Sequence, residues 1–256
     1  MAKKNISGSW EKIFDDYNIT SHDFDKSPFL ITATQIKKAC QDFTTTGQKE
    51  VRILCKQDRR EDRPQVFIDK GLFLLPVKNG QYVIVKGEGY IDIPSIETTQ
   101  EIYASKINFN LDTSLVGNSE MQHLDFAYAS SLIRTFMEDD SLVLTIRGRK
   151  YTPKFSFNIS NHLIEVQSVQ TEVDAGYEGK EQVVLIEAKN SKTSNTIIRQ
   201  LYYPFRQWQH YTRKKVITLF FEKNNDTYSI WHFQFKNLQD YNSIELLKTG
   251  KFKIKT

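Results

Sequence analysis

The chain has only two cysteines in 256 residues, and it has no long apolar run and no glycine-rich phosphate loop. Each absence removes a class of function. Cys40 and Cys55 stand apart from each other, with no second cysteine pair and no histidine beside them. That pattern fits neither a disulfide framework nor a zinc site, so both are expected as small buried hydrophobes. A membrane-spanning helix needs about 20 predominantly apolar residues, and the sequence offers no such stretch. The opening MAKKNISGSW lacks the apolar core of a secretory signal. The expectation is a cytoplasmic protein. No helicase or ATPase signature accompanies it, which leaves motor-driven nucleic-acid enzymes aside.

What is present is a globular composition, 39% hydrophobic with 12% aromatic residues, in a length sufficient for one large domain or two small ones. The net charge is only +4, but its distribution is informative. Residues 142–164 carry four basic residues and no acid; 165–187 carry six acids and one lysine; 189–223 carry eight basic residues and one acid. An acidic centre between basic flanks suits a metal site beside a polyanionic substrate.

The acidic centre contains QTEVDAGYEGKEQVVLIEAK, residues 170–189. Its β-branched runs and punctuating Gly176 and Gly179 predict a hairpin with a glycine-bearing turn. Asp174 and Glu187 should then leave neighbouring strands at one sheet edge. Alternation along a strand puts Glu187 and Lys189 on one face and Ala188 on the other. Carboxylate oxygens are the hard ligands that Mg2+ requires, and a lysine beside them can orient water and stabilise charge developing on a phosphate. A second acid–x–lysine match exists, Glu165 with Glu178-Gly179-Lys180, but that triplet falls in the predicted turn. Glu187-Ala188-Lys189 instead follows four apolar residues, Val183 to Ile186, and so belongs to a buried strand.

Asp174 followed by Glu187-Ala188-Lys189 resembles the motif of the PD-(D/E)XK nucleases, and of type II restriction endonucleases in particular; Val173 stands where the family name has proline. The resemblance covers about residues 118–210. It implies Mg2+ as cofactor, with Asp174, Glu187 and the Ala188 carbonyl as ligands, and Lys189 as the residue that positions the attacking water. It implies a helix after the acid–x–lysine strand that turns Gln200, and with it Tyr203, toward the site. A supporting acid is expected among Glu120, Asp125, Glu165 and Glu172. It also implies double-stranded DNA as substrate, a separate cognate DNA methyltransferase, and either a homodimer or a monomer acting twice.

Periodicity organises the remaining chain. Residues 7–46 have helical spacing, with Thr34 as a cap, and residues 49–57 form a further helix. Leu72 to Val77 and Gln81 to Val85 form a hairpin through Asn79-Gly80. Helices followed by a hairpin is the order of a winged helix-turn-helix. Arg52, Lys56, Arg59, Arg60 and Arg63 would then face DNA, with Lys78 on the wing. Glu50, Asp58, Glu61 and Asp62 dilute that set, and a solvated charged face is the plainer alternative. Residues 91–115 read as a linker or cover, residues 118–137 as one helix, and Ser141 to Ile146 as a strand with a basic exit loop through Arg147, Arg149, Lys150 and Lys154. Arginine suits a bidentate grip on guanine or phosphate. Strands over 154–159 and 163–173 follow, then a helix over 196–211, interrupted by Pro204, whose Arg199 and Arg206 are expected to contact DNA. A hairpin of Val216 to Phe221 with Tyr228 to Phe235, a short helix over 243–248 and a terminal strand complete the chain; His232 reads as a core or edge histidine.

The expected fold is therefore α/β (α+β): a mixed central sheet flanked by helices, in a PD-(D/E)XK-like catalytic domain over 106–256 and a winged-helix-like domain over 1–105. The expected function is a Mg2+-dependent, sequence-specific DNA endonuclease. A repair or structure-specific nuclease shares its chemistry, and an inactive nuclease-like DNA-binding protein is the alternative from another class.

Overall fold

Alternation in one hairpin divides the interior of the protein. In the computed structural model, which describes residues 6–255, β2 (Leu72–Lys78) and β3 (Gln81–Lys86) pair antiparallel through Asn79-Gly80, where Gly80 alone takes a positive φ of 72°. Leu72, Leu74 and Ile84 enter an N-terminal core with Trp10, Ile13, Phe14, Ile36, Leu54 and Phe67. Phe73, Leu75, Val77, Val83 and Val85, on the opposite face, enter a second core shared with the C-terminal body. Successive strand residues face opposite sides, so the hairpin is a wall between two interiors.

Around the first core stand α1 (Ser7–Asp16), β1 (Phe29–Thr32), α2 (Ala33–Ala39), the single turns α3 (Thr46–Lys49) and α4 (Val51–Leu54), and α5 (Gln65–Asp69). The small sheet has the order β1-β3-β2, all antiparallel. Two local expectations change here. Thr32, not Thr34, caps α2: its hydroxyl accepts from the Gln35 N–H at 3.2 Å while the Gln35 side chain accepts from the Thr32 N–H at 2.9 Å. A glutamine three residues in supplies that reciprocal box. The helix expected over 49–57 is split at the extended Glu50 and ends at Leu54.

The C-terminal body begins with β4 (Tyr90–Asp92), β5 (Glu101–Ala104), α6 (Glu120–Ala129), α7 (Leu132–Met137) and β6 (Val143–Tyr151). It continues with β7 (Phe155–Ile159), β8 (His162–Val166), β9 (Gln170–Glu178), β10 (Gln182–Lys189), β11 (Asn195–Ile197) and α8 (Arg199–Tyr211). It closes with β12 (Lys215–Asn224), β13 (Thr227–Phe235) and β14 (Ile244–Lys255). Seven strands form one mixed sheet in the order β5-β14-β13-β12-β10-β9-β6, parallel at β10–β12 and β14–β5 and antiparallel elsewhere. One face packs on α8 and the β7–β8 hairpin; the other packs on α6 and α7. A large mixed sheet flanked by helices is thus the architecture. Val183 and Leu185 face α8, Val184 and Ile186 face α6 and α7, and all four are buried. Each such side chain contributes about 1.5–3 kcal/mol by leaving water, which holds β10 in the interior of the sheet, between β12 and β9.

Several segments differ from expectation. Residues 91–115 supply β4, which pairs with β11, and β5, an edge strand of the large sheet. The helix over 118–137 breaks at Ser130-Ser131, where Ser131 adopts φ 66°. The strand over 163–173 is interrupted at Gln167 to Val169, with Ser168 at φ 56°. Gly176 is not a turn residue: it lies on β9, and a Cβ there would sit 2.6 Å from the Ile146 Cβ. Residues 243–248 belong to β14, not to a helix. The basic loop from Arg147 is mostly strand, because β6 runs on to Tyr151. Pro204 lies inside α8 without ending it.

Candidate active site

The site forms where two strands part. β10 pairs with β12 as far as Lys189–Glu222, but its pairing with β9 stops at Ile186–Ala175. Past that point Asp174 takes over from the ladder: its Oδ2 accepts the Ala188 N–H at 2.7 Å. Asp174 also sits at a bulge. The β6–β9 register slips at Leu144/Ile146 and slips back at Ile146/Gly148, so Asp174 and Ala175 together oppose Arg147. A bulge bends a strand and re-aims its side chains. Here it separates Val173, which faces α8, from Ala175, which faces α6.

Glu187 is 9% exposed. Burial pushes its carboxyl up to about 7, against the pull of Lys189, with Asp174 and Asp58 adding to the rise. The Lys189 ammonium donates to the Glu187 carboxylate and, at 3.0 Å, to the Ala188 carbonyl. Burial works to lower the Lys189 pKa, but Glu187 outweighs it, joined by Glu120 and Asp174, and the ammonium is held above its ordinary value. Asp174 is raised by burial, opposed by the Ala188 N–H and by Lys189. Glu120 comes from the first turn of α6, whose Ser119 cap accepts from the Gln122 N–H at 3.1 Å. Burial raises Glu120, Lys189 lowers it, Asp174 raises it, and it accepts a main-chain hydrogen bond from Asn190. Three carboxyls and one ammonium therefore share one field.

Of the expected supporting acids, Glu120 is brought into this field beside Lys189, and Glu172 also raises Asp174. Asp125 pairs with Arg147, Glu165 pairs with Lys154 at 2.8 Å on the β7–β8 hairpin, and Glu172 pairs with Arg149 at 3.2 Å. Glu172 also lines a small recess with Glu187, Gln200, Leu201, Pro204 and Thr218. In that recess the Gln200 side chain accepts from the Thr196 hydroxyl at 2.7 Å. Tyr203 is buried and donates to the Pro76 carbonyl at 3.0 Å, so it packs α8 against β2 and does not reach the site. His232, half-buried on β13, packs away from it as expected.

The basic residues have these places. Arg147 lies on β6 beneath α6, while Arg149 and Lys150 are exposed on the same strand. Arg199 meets Asp58 at 3.4 Å. Arg206 donates to the Ser156 carbonyl at 3.1 Å and to the Leu238 carbonyl, and lies over the Phe155 ring, so it braces the β7–β8 hairpin. Arg59 is paired with Asp62 and Arg60 with Asp92. Arg63 donates to the Leu72 carbonyl at 3.0 Å. Arg52, Lys56 and Lys78 are exposed, with Lys56 3.7 Å from Asp58. Sequence reasoning missed Asp58 and Asn190 as neighbours of the site. Asn190 had a signal in directly following Lys189, whereas Asp58 lies in a different domain and had none.

Among the described residues, no three His, Cys, Asp or Glu side chains are grouped as a complete metal-ligand set. Mg2+ asks for less: one or two carboxylates, with water and substrate oxygens completing its shell. Asp174, Glu187 and the Ala188 carbonyl are hard oxygen donors of that kind, and they fit the ion.

Comparison with known proteins finds two adjoining family matches. Residues 7–84 match the family described as Domain of unknown function (DUF6996), and residues 85–253 match the one described as Domain of unknown function (DUF6997). No curated protein and no solved structure matches the chain. The second match spans more than half of the chain and includes Glu120, Asp174, Glu187 and Lys189, so the protein belongs to the DUF6997 family.

Proposed function

We propose that this protein is a Mg2+-dependent endonuclease of double-stranded DNA, of the type II restriction kind, with a PD-(D/E)XK-like core and a winged-helix-like N-terminal module. The observation that carries the reading is the parting of β9 from β10, where Asp174 is tied to the Ala188 N–H and Glu187 and Lys189 share the same exit. An ordinary surface ion pair needs no such arrangement, and a buried acid raised toward neutrality beside a specific charge partner marks a functional centre. The N-terminal order of helix, strand, helices and hairpin, with the sheet order β1-β3-β2, supports the winged-helix part.

In this reading Asp174, Glu187 and the Ala188 carbonyl would hold Mg2+, which when bound would supply Lewis-acid charge to the phosphate and lower the pKa of water. A water oxygen bonds to phosphorus as one bridging P–O bond breaks, and a water proton passes through solvent to the departing oxygen, leaving a phosphomonoester and a hydroxyl. Lys189 stabilises charge developing on the phosphate oxygens. Ala188 N–H fixes the Asp174 carboxylate. Gln200, beside Glu187, orients water in the recess. Exposed Arg149 and Lys150, with Arg52 on the N-terminal module, grip the duplex. A cognate DNA methyltransferase would protect the host sequence.

The test is digestion of a defined supercoiled plasmid with and without Mg2+, followed by end sequencing. Uniform ends at one sequence are expected from the wild-type chain and none from D174A. Absence of cutting by the wild type, or undiminished cutting by D174A, overturns the reading.

A further inference from the structure

The basic residue that changes most between sequence and structure is Arg147. Expected on an exit loop, it lies within β6, opposite the bulged pair Asp174 and Ala175. Ile146 before it is buried on the α8 face, so Arg147 is directed to the α6 face, where Glu120 and Asp125 stand. Its two terminal nitrogens donate to Asp125, Nη1 at 3.3 Å. Its Nε is buried and has no partner. Both terminal nitrogens are committed to the two Asp125 oxygens, and the buried Nε donor is left free. On the same face the Tyr177 hydroxyl is also buried without a partner. Native proteins pair nearly all such groups, and exceptions call for a ligand, a water or a catalytic role.

We infer that Arg147 is a further catalytic residue: a second cation, across Asp174 from Lys189, whose Nε–H takes a non-bridging oxygen of the phosphate being cut. The inference rests on the nuclease reading and adds a residue that the acid–x–lysine motif does not contain. Depth separates this role from groove reading. The Arg147 side chain is 29% exposed, whereas Arg149 on the rim is 64% exposed and suited to the outer duplex. Asp125 then acts as a positioning residue, holding the guanidinium end-on. The field at the site agrees: Arg147 is among the groups that lower Asp174, and Asp174 among those that raise Arg147.

The experiment measures single-turnover cleavage and, separately, metal-free DNA binding across a salt series for wild type, R147A, R147K and D125N, with D174N and E187Q as site controls. R147A is expected to lower the cleavage rate at saturating enzyme by about 100-fold, the range for loss of one preorganised donor to a reacting group. Its metal-free affinity should fall far less than its rate, by no more than one phosphate contact supplies. R147K should recover part of the rate and D125N should lose less than R147A. If R147A keeps the wild-type rate while its affinity drops and its salt slope flattens by about one, Arg147 is an ordinary phosphate grip and the inference falls. Should R147A not fold by circular dichroism, R147Q, which keeps a donor toward Asp125 without the charge, decides in its place. Failure of the wild type to cut, or D174N and E187Q cutting normally, brings down the nuclease reading itself. Dead D174N and E187Q beside a fully active R147A bring down only the role of Arg147.

Discussion

The two acid–x–lysine triplets lie at opposite ends of one strand, and their physical states differ. At the entry to β10, Glu178 is 42% exposed and pairs with Lys214 at 2.6 Å, while Lys180 stands in solvent. Its sequence partner Glu165 is on another sheet, paired with Lys154. At the exit, Glu187 is nearly closed off, Lys189 is bonded to it, and Asp174 is tied to the residue between them. Spacing is the same in both. What separates them is the stretch from Val183 to Ile186, which carries the second triplet out of a sheet buried on both faces. A carboxylate in water is an ordinary anion, whereas one at the end of a buried strand carries a desolvation cost that a cation or metal can offset.

The comparison breaks most visibly under substitution of the acids. E187A and D174A are expected to reduce plasmid cleavage below detection, and E178A and E165A to leave it at the wild-type rate. A cleavage loss in E178A matching that in E187A would erase the distinction. Next in size is the lysine. K189A should lower the single-turnover rate by roughly 10²- to 10³-fold, while K180A should not change it.

Proton linkage sharpens the contrast further. The unfolded Glu187 carboxyl titrates near its ordinary 4.5, but the folded one holds its proton to about 7. Between those values the native state binds more protons, so this contribution to stability is complete below about pH 4.5 and is lost as pH rises through about 7. The unfolding free energy of the metal-free protein, from denaturant titration, should therefore fall over that window in the wild type relative to E187Q, by on the order of 1–3 kcal/mol. E178Q should track the wild type, and parallel curves for E187Q and wild type would contradict the burial of Glu187. The smallest effect is expected at the exposed pair. K214A should cost about 0–1 kcal/mol, as surface ion pairs do, and less in high salt.

The β10 hairpin, α8 and the β12–β13 hairpin were legible because alternation, an apolar run or a helical stripe was long enough to dominate. The broken helix over 118–137 was not: Met121 to Phe136 keep a helical stripe across Ser130-Ser131, and nothing local announces the left-handed Ser131. Residues 243–248, Ser-Ile-Glu-Leu-Leu-Lys, favour a helix by propensity, yet they pair along β13. The open edge of a sheet overrides a weak local preference. At the site, Asp174, Glu187 and Lys189 stand out in the order of charged and apolar residues, whereas Gln200 follows only from the family resemblance. Glu120 was one of four acids that sequence could not separate. Arg147 was placed in a loop because its strand is bulged there, which masks alternation.

The two-faced hairpin has a consequence for how the chain is made. The Phe73 face of β2 and β3 emerges from the ribosome well before Tyr241, which stacks on Phe73 at 6.1 Å and follows it by 168 residues. At about 5–20 residues per second the nascent chain carries that bare aliphatic and aromatic wall for on the order of ten seconds. Within that interval an N-terminal module folded around Trp10 and Phe67 would still expose a sticky side. Expression of residues 1–105 alone would make that interval permanent, so such a fragment should be prone to aggregation even when its own small core is intact.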